Sequence, residues 1–144
     1  KEFPIKIDDS IVTEEIDGTR YIILPKETES SELLEKITSE KYIMKIKDAE
    51  GTKDNTGKIK TGDVLYIEAE EGNYKLYKIC VLGDVNKDGL INIIDIFQVN
   101  QHRLEKVKFD IEQLISADVN RDKNMNIDDI FRMNQYRLEI IESF

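Results

Sequence analysis

The sequence lacks several residues on which common functions depend. Its 144 residues include no tryptophan, one cysteine and one histidine. A lone cysteine, Cys80, excludes an intramolecular disulfide, and its place in the apolar run ICVL predicts a buried free thiol. His102 has no serine or cysteine beside it in a nucleophile motif, so we predict no enzyme activity and interpret it as a solvated helix residue.

Long apolar runs and basic clusters are missing as well. No apolar run approaches the roughly 18 residues that a membrane span requires, so we predict no membrane-spanning segment. A net charge of −9 and a pI near 4.7, without a basic patch, argue against nucleic-acid binding. With 40% hydrophobic and 35% charged residues, the chain suits two small soluble domains. The sequence shows no signal peptide. Because it opens at Lys1 rather than at a methionine, we expect a fragment of a longer protein.

Two twelve-residue stretches carry oxygen-bearing side chains at positions 1, 3, 5, 9 and 12. They are DVNKDGLINIID from Asp84 and DVNRDKNMNIDD from Asp118. Calcium prefers six to eight oxygen ligands, and this spacing is that of an EF-hand calcium loop, in which position 7 adds a backbone carbonyl. The predicted ligands are Asp84, Asn86, Asp88, Leu90 (carbonyl), Asn92 and Asp95, and Asp118, Asn120, Asp122, Asn124 (carbonyl), Asn126 and Asp129.

The similarity between the two stretches continues past the loops. Residues 83–107 and 117–141 are identical at 14 of 25 positions, and the later parts read DIFQVNQHRLE and DIFRMNQYRLE. A period of this length indicates a repeated structural unit, here a calcium loop followed by a helix. We interpret Ile96, Val99, Ile130 and Met133 as the internal core, with Ile93, Ile94, Phe97 and Leu104 nearer an outer face. The alternative is that all of them are core.

The residues before each loop differ from those of an ordinary EF-hand, which has a helix entering the loop. Residues 73–82, NYKLYKICVL, alternate like a strand, and residues 109–116 allow only a short connecting helix. Loop, helix, short linker, loop and helix within about 60 residues resembles the dockerin family, whose members dock onto cohesin domains in cellulosome-type assemblies of anaerobic bacteria. The resemblance covers residues 83 to about 141.

The resemblance implies two structural calcium ions and a docking surface on the two helices. Loop positions 10 and 11 and exposed helix positions carry specificity in the family. In this chain they are Ile93, Ile94, Phe97, Gln101, Leu104 and Glu105, and Ile127, Asp128, Phe131, Gln135, Leu138 and Glu139. Many type I dockerins have hydroxyl residues at positions 10 and 11, so the Ile-Ile and Ile-Asp pairs are more similar to the apolar type II surface. An unclassified specificity is the equal alternative. Near-identity of the copies allows a docking mode rotated by 180°, although Ile94 against Asp128 favours one orientation.

Position 6 distinguishes the loops. The chain turns sharply there, which favours glycine, and Gly89 fits whereas Lys123 does not. We therefore predict that the second loop binds calcium more weakly than the first. Repulsion among the carboxylates of each loop also predicts a dockerin that is largely unfolded without metal. Magnesium is the poorer candidate because it requires tight octahedral geometry.

Residues 1–82 form a separate predicted domain. Strand patterns near Phe3–Asp8, Arg20–Leu24, Tyr42–Lys47, Val64–Glu70 and Tyr74–Leu82, and a helix near Glu29–Ile37, give the order ββαβββ. The predicted fold class is α+β, with a β-grasp-like domain at 1–82 and an all-α dockerin at 83–144; an immunoglobulin-like sandwich is the runner-up. No Gly/Ser-rich or Pro-rich linker separates the two, which predicts rigid coupling.

The N-terminal domain resembles, by position alone, the X modules that precede some dockerins, and a structural spacer is our leading interpretation. Carbohydrate or peptide binding is the alternative, although no aromatic platform is evident. For the whole chain we expect a non-catalytic, calcium-dependent docking module that is secreted or cell-surface associated in an anaerobic bacterium. We expect it to be monomeric when unbound and to tether its parent protein to a cohesin-bearing scaffold. A calcium sensor or buffer is the alternative, and closed loops argue against a metal-dependent hydrolase.

Overall fold

The computed structural model describes residues 5–39, 42–68, 72 and 74–144. Its strands are β1 (Lys6–Ile7), β2 (Val12–Ile16), β3 (Thr19–Leu24), β4 (Ile37–Thr38), β5 (Ile43–Lys47), β6 (Val64–Glu68) and β7 (Tyr74–Val81). Its helices are α1 (Ser30–Leu34), α2 (Ile93–Arg103), α3 (Ile111–Ala117) and α4 (Ile127–Arg137). Parts of the strands predicted at Phe3–Asp8 and Val64–Glu70 lie outside these residues.

A mixed five-stranded sheet in the order β2-β3-β7-β6-β5 occupies residues 12–81. Strands β3 and β7 pair in parallel at its centre, and the other neighbours are antiparallel. β1 and β4 form a small antiparallel ladder of their own. In β3, the last four residues are all buried, as expected for a central strand that is covered on both faces.

The predicted fold class was wrong in the number and arrangement of the strands. The N-terminal order is βββαββββ in two sheets, not the ββαβββ of a β-grasp-like domain. β2 was not predicted from the sequence because its two glutamates obscure the alternation of apolar and polar residues. Asp17 and Gly18, both at positive φ, form the tight hairpin turn from β2 to β3. The helix is shorter than predicted because Ile37, at its expected end, instead pairs with β1.

The two faces of the large sheet build two hydrophobic clusters. One contains Leu24, Leu33, Ile46, Leu65 and Ile79 and covers the face toward α1. On the opposite face, the sheet packs directly against the helices of the C-terminal half. The residues of this second cluster are Tyr21, Ile23, Cys80, Leu82, Val85, Ile96, Val99, Phe109, Ala117, Val119, Ile130 and Met133.

Contacts therefore cross the predicted boundary between residues 82 and 83. β7 ends at Val81, and the first loop begins at Asp84 without an intervening linker. The backbone N–H of Gly83 donates to the carbonyl of Ser116 (2.7 Å), and that of Phe144 donates to the carbonyl of Pro25 (2.7 Å). The helices thus use the sheet as one wall of their core, and the boundary itself stays a prediction.

Candidate functional site

Each of the two loops gathers three carboxylates. In both, one oxygen from each of positions 1, 5 and 12 lies within 4.8 Å of the others. In the first loop Asp84 and Asp95 are fully buried, while Asp88 is exposed. The corresponding residues of the second loop are Asp118, Asp122 and Asp129. The structure thus brings together the carboxylates that the spacing predicts.

Backbone N–H groups hold the first carboxylate of the first loop in place. Asp84 Oδ1 accepts from the N–H of Asp88 (3.1 Å), and Oδ2 accepts from that of Gly89 (2.9 Å). A further N–H, that of Thr61, donates to Asp84 Oδ2 (2.9 Å). Thr61 belongs to the segment before β6, so the N-terminal half contributes directly to the geometry of this loop.

The second loop repeats this arrangement. Asp118 Oδ1 accepts from the N–H of Asp122 (3.2 Å) and Oδ2 from that of Lys123 (3.0 Å). At position 12, Asp129 accepts from the N–H of Asn126 (2.9 Å) and of Asn120 (3.4 Å). The sequence repeat is therefore also a repeat of hydrogen bonds.

Positions 9 and 12 cap the helix that leaves each loop. Asn92 Oδ1 accepts from the N–H of Ile94 (3.0 Å), while Asp95 Oδ2 accepts from the N–H of Asn92 (2.9 Å), which is a reciprocal capping box at the start of α2. Asn126 and Asp129 do the same for α4. Because the position 9 oxygens already cap a helix, a metal would reach them most easily through a water molecule, as is common at this position.

A metal ion fits the first loop on chemical grounds. Asn86 Oδ1, at position 3, is buried and has no hydrogen-bond partner. Burial raises the pKa of Asp84 to about 6 and that of Asp95 to about 7, so two carboxylates are crowded where their charges are costly. An amide oxygen without a donor beside several carboxylates is the donor set that a hard divalent cation prefers. In the second loop burial likewise raises the pKa of Asp118 and Asp129.

Position 6 has the left-handed backbone that its sequence predicted. Gly89 has φ +84° and Lys123 has φ +70°. Gly89 also lies against the N-terminal half, because a Cβ atom added there would lie 3.2 Å from the carbonyl oxygen of Ile59. Position 6 of the first loop therefore favours glycine both because space is short and because φ is positive. At position 6 of the second loop the Lys123 side chain is exposed, so only the positive φ is unfavourable there.

The exposed apolar residues of α2 and α4 form the candidate docking surface. Ile96, Val99, Ile130 and Met133 are buried between the helices and the sheet, which confirms the predicted inner face. More than half of each outer apolar side chain is exposed, among them Phe97 at 60% and Phe131 at 63%. The exposed apolar set is Ile93, Ile94, Phe97, Leu104, Ile127, Phe131 and Leu138.

The polar members of the predicted surface lie beside these apolar residues. Glu105, Asp128 and Glu139 are exposed, and Gln101 and Gln135 are partly buried. Leu104 and Leu138 are the C-caps of α2 and α4, and the glutamate after each has positive φ. The repeated sequence thus places both sets at equivalent positions of two packed helices.

The prediction of His102 as a solvated helix residue was only partly correct, because it lies in α2 but is partly buried. Its ring stacks on Phe109 with centroids 4.4 Å apart, and its Nδ1 accepts from the N–H of Phe109 (3.1 Å). His102 thereby fixes the start of the connection from α2 to α3. Cys80 is fully buried, and burial raises the pKa of its thiol to about 12, so the thiol is protonated at neutral pH.

Residues 82–138 match the family model described as the dockerin type I domain. This part of the chain is a dockerin. The matching family model is the type I model, while Ile93, Ile94 and Ile127 still give loop positions 10 and 11 a mainly apolar character. No curated protein and no solved structure matches the chain.

Family membership identifies the dockerin as a docking module, with cohesin domains as its class of partner, and dockerins are non-catalytic. In it, the two acidic clusters lie at the loop positions that could hold metal ions. None of the helices in the described residues is long and apolar enough to cross a membrane.

Proposed function

We propose that the dockerin binds one calcium ion in each loop and, with its loops so fixed, docks α2 and α4 onto a cohesin domain. The ligands are those predicted from the spacing, at positions 1, 3, 5, 7, 9 and 12. Calcium supplies the positive charge that the crowded carboxylates lack, and the position 12 carboxylate ties each ion to the first turn of a helix. The metal therefore organises the docking surface and takes no part in chemistry.

The observation that carries this proposal is the separation of apolar residues on the two helices. The inner residues of both helices are buried against the sheet, while Phe97 and Phe131 remain exposed on equivalent turns. Exposed aromatic anchors on a rigid support are typical of the centre of a protein interface. The protein is then monomeric when unbound, and the partner buries this surface.

The N-terminal residues, in this proposal, support the dockerin. They supply the sheet on which its core packs and the Thr61 N–H that holds Asp84. The domain boundary at residues 82 and 83 would then divide two functions within one rigid body. The parent protein would be secreted or cell-surface associated and held on a cohesin-bearing scaffold.

A binding assay against a panel of purified cohesins, with and without calcium, tests the proposal. We expect Phe97→Ala to weaken binding by roughly 5- to 100-fold, as for an interface anchor, while the folded stability changes by less than about 0.5 kcal/mol. Ile43→Ala is the matched control, because Ile43 is an apolar residue with 58% exposure on β5, outside the helices. Calorimetry gives both the affinity and the dependence on calcium.

The outcomes distinguish the docking modes. If α2 leads, Phe97→Ala weakens binding and Phe131→Ala does not. If both orientations are used, each single change has a small effect, and only the double variant loses binding. Unchanged affinity of the double variant, or equal affinity with and without calcium, contradicts the proposal. Calcium binding without any cohesin binding would instead favour a sensor or buffer.

A further inference from the structure

Glu14 of β2 pairs with both basic side chains of the second calcium loop. Its Oε1 lies 2.5 Å from Arg121 Nη2, and its Oε2 lies 3.0 Å from Lys123 Nζ. Glu14 is only about one quarter exposed. These ion pairs, of which Lys123 contributes most, hold the pKa of Glu14 below its usual value. One carboxylate of the sheet thus bridges loop positions 4 and 6 from more than a hundred residues away.

Both of its partners have unusual backbone conformations. Arg121 has φ +60° and Lys123 has φ +70°, and neither is glycine. A non-glycine residue at positive φ destabilises the folded backbone by on the order of 1 kcal/mol, and the second loop contains two such residues. Two ion pairs to a partly buried acceptor on a rigid strand help to hold both residues in the conformation that the loop needs.

The same two side chains are cations next to a proposed cation site. Asp118, the position 1 ligand, lines one groove together with Glu14, Arg121 and Lys123. If the basic groups were released, they could pair with the loop carboxylates and compete with the ion, or they could repel it. At 4 Å, two unit charges interact by about 4 kcal/mol near a protein surface, so their direction matters for affinity.

The only basic residue of the first loop also pairs with a carboxylate outside its loop. Lys87, at position 4, has φ +64°, and its Nζ pairs with Asp110 Oδ2 at 2.7 Å, outside the loop. Position 6 is Gly89, so the first loop has no second cation to restrain. The second loop carries more positive charge near its ligands, and its restraint comes from the N-terminal sheet.

We propose that Glu14 is a positioning residue for the second calcium loop: it keeps Arg121 and Lys123 turned away from the loop carboxylates and so raises the calcium affinity of that loop. This inference rests on the proposed calcium binding. It goes further by making the affinity of one site depend on a residue of the N-terminal half.

The matched pair of variants is Glu14→Gln and Glu15→Gln in the full chain. Glu15 is its neighbour on β2, and its ion pair with Arg20 is long (3.9 Å) and exposed. Both changes remove one negative charge from the same strand, so they alter the overall charge equally. Calcium is titrated into ¹⁵N-labelled protein, and amide signals of residues 84–95 and 118–129 report each loop separately.

For Glu14→Gln we expect about tenfold weaker calcium binding in the second loop and less than about twofold change in the first. Glu15→Gln should change neither loop by more than about twofold, since exposed ion pairs contribute little. Glu14→Asp, which keeps the charge, should recover part of the loss. In a Lys123→Gly background, the effect of Glu14→Gln should shrink because one of its partners is gone.

Three results would overturn the inference. The first is a Glu14→Gln titration equal to that of Glu15→Gln. The second is an equal loss at both loops accompanied by a lower thermal midpoint of the calcium-free protein, which indicates a structural role only. The third is a wild-type chain that binds no calcium at either loop, and this result alone also removes the proposed function.

Discussion

The buried carboxylates of the first loop lead us to predict that the calcium-free protein becomes more stable as the pH falls. Asp84 and Asp95 are fully buried, and burial raises their pKa values from 3.8 to about 6 and about 7. Between about pH 4 and pH 7 the folded state therefore binds more protons than the unfolded state. The free energy of unfolding of the calcium-free protein thus rises as the pH falls from 8 to 5, the reverse of the usual acidic-residue behaviour.

The size of this effect follows from the two pKa values. One pKa unit corresponds to about 1.4 kcal/mol, so at pH 8 Asp95 disfavours folding by up to about 4 kcal/mol and Asp84 by up to about 3 kcal/mol. Because the two carboxylates are coupled and water enters an opened loop, we expect a gain of about 2 to 4 kcal/mol at pH 5. For a chain of this length the thermal midpoint would rise by roughly 6 to 14 °C.

The calcium-loaded protein should show the opposite sign. Calcium requires deprotonated carboxylates, so acid releases the ion and lowers the thermal midpoint. Thermal unfolding followed by circular dichroism at pH 8 and pH 5 measures both states. Calcium is removed with a chelating resin beforehand, because soluble chelators bind calcium poorly in acid. At pH 8 the calcium-free dockerin should have lost much of its helical signal.

Asp95→Asn should remove much of this dependence on pH in the calcium-free protein. Asp128→Asn is the control, since Asp128 is an exposed acid of the second loop that is not a predicted ligand. A calcium-free wild type that is less stable at pH 5 than at pH 8 would show that the buried carboxylates do not bind protons on folding. The same conclusion would follow if the two variants retained equal responses to pH.

Two further predictions concern the loop and the core. Lys123→Gly removes a side chain at positive φ and a cation, so calorimetry should show about fivefold tighter calcium binding in the second loop. In the wild type, the second loop should be the weaker of the two sites. Equal affinities of the two wild-type loops would contradict this prediction. Met133→Ala, at a fully buried site, should cost about 2 to 4 kcal/mol in urea unfolding with calcium present. Phe131→Ala should cost less than about 0.5 kcal/mol, and similar costs for both variants would count against the assigned faces.

The candidate site was largely predictable because its chemistry is local. Positions 1, 5 and 12 are brought together by a turn of twelve residues, and the capping boxes at Asn92 and Asn126 are formed by residues three apart. Helical periodicity placed Val99 and Phe97 on one wide apolar stripe, and only the structure shows that Val99 is buried while Phe97 is exposed. Neither the loops nor the capping boxes require knowledge of what lies elsewhere in the chain.

The N-terminal fold was predicted less well because its strands depend on distant partners. β4 has two residues and exists only through its pairing with β1, which no local pattern shows. β2 carries two adjacent glutamates and lies at the sheet edge, where one side of the strand meets solvent. The Asp17-Gly18 turn was a local signal for its hairpin that the strand pattern alone did not use.

The sequence by itself therefore determined the two loops and the helices that leave them, since each depends on residues within one or two turns. Only the tertiary structure decided that the sheet is the other wall of the dockerin core, that the Thr61 N–H donates to Asp84 and that Glu14 pairs with Arg121 and Lys123. An ion pair between residues more than a hundred positions apart leaves no periodicity or spacing in a single sequence. Such a contact exists only after the sheet and the loops have packed together.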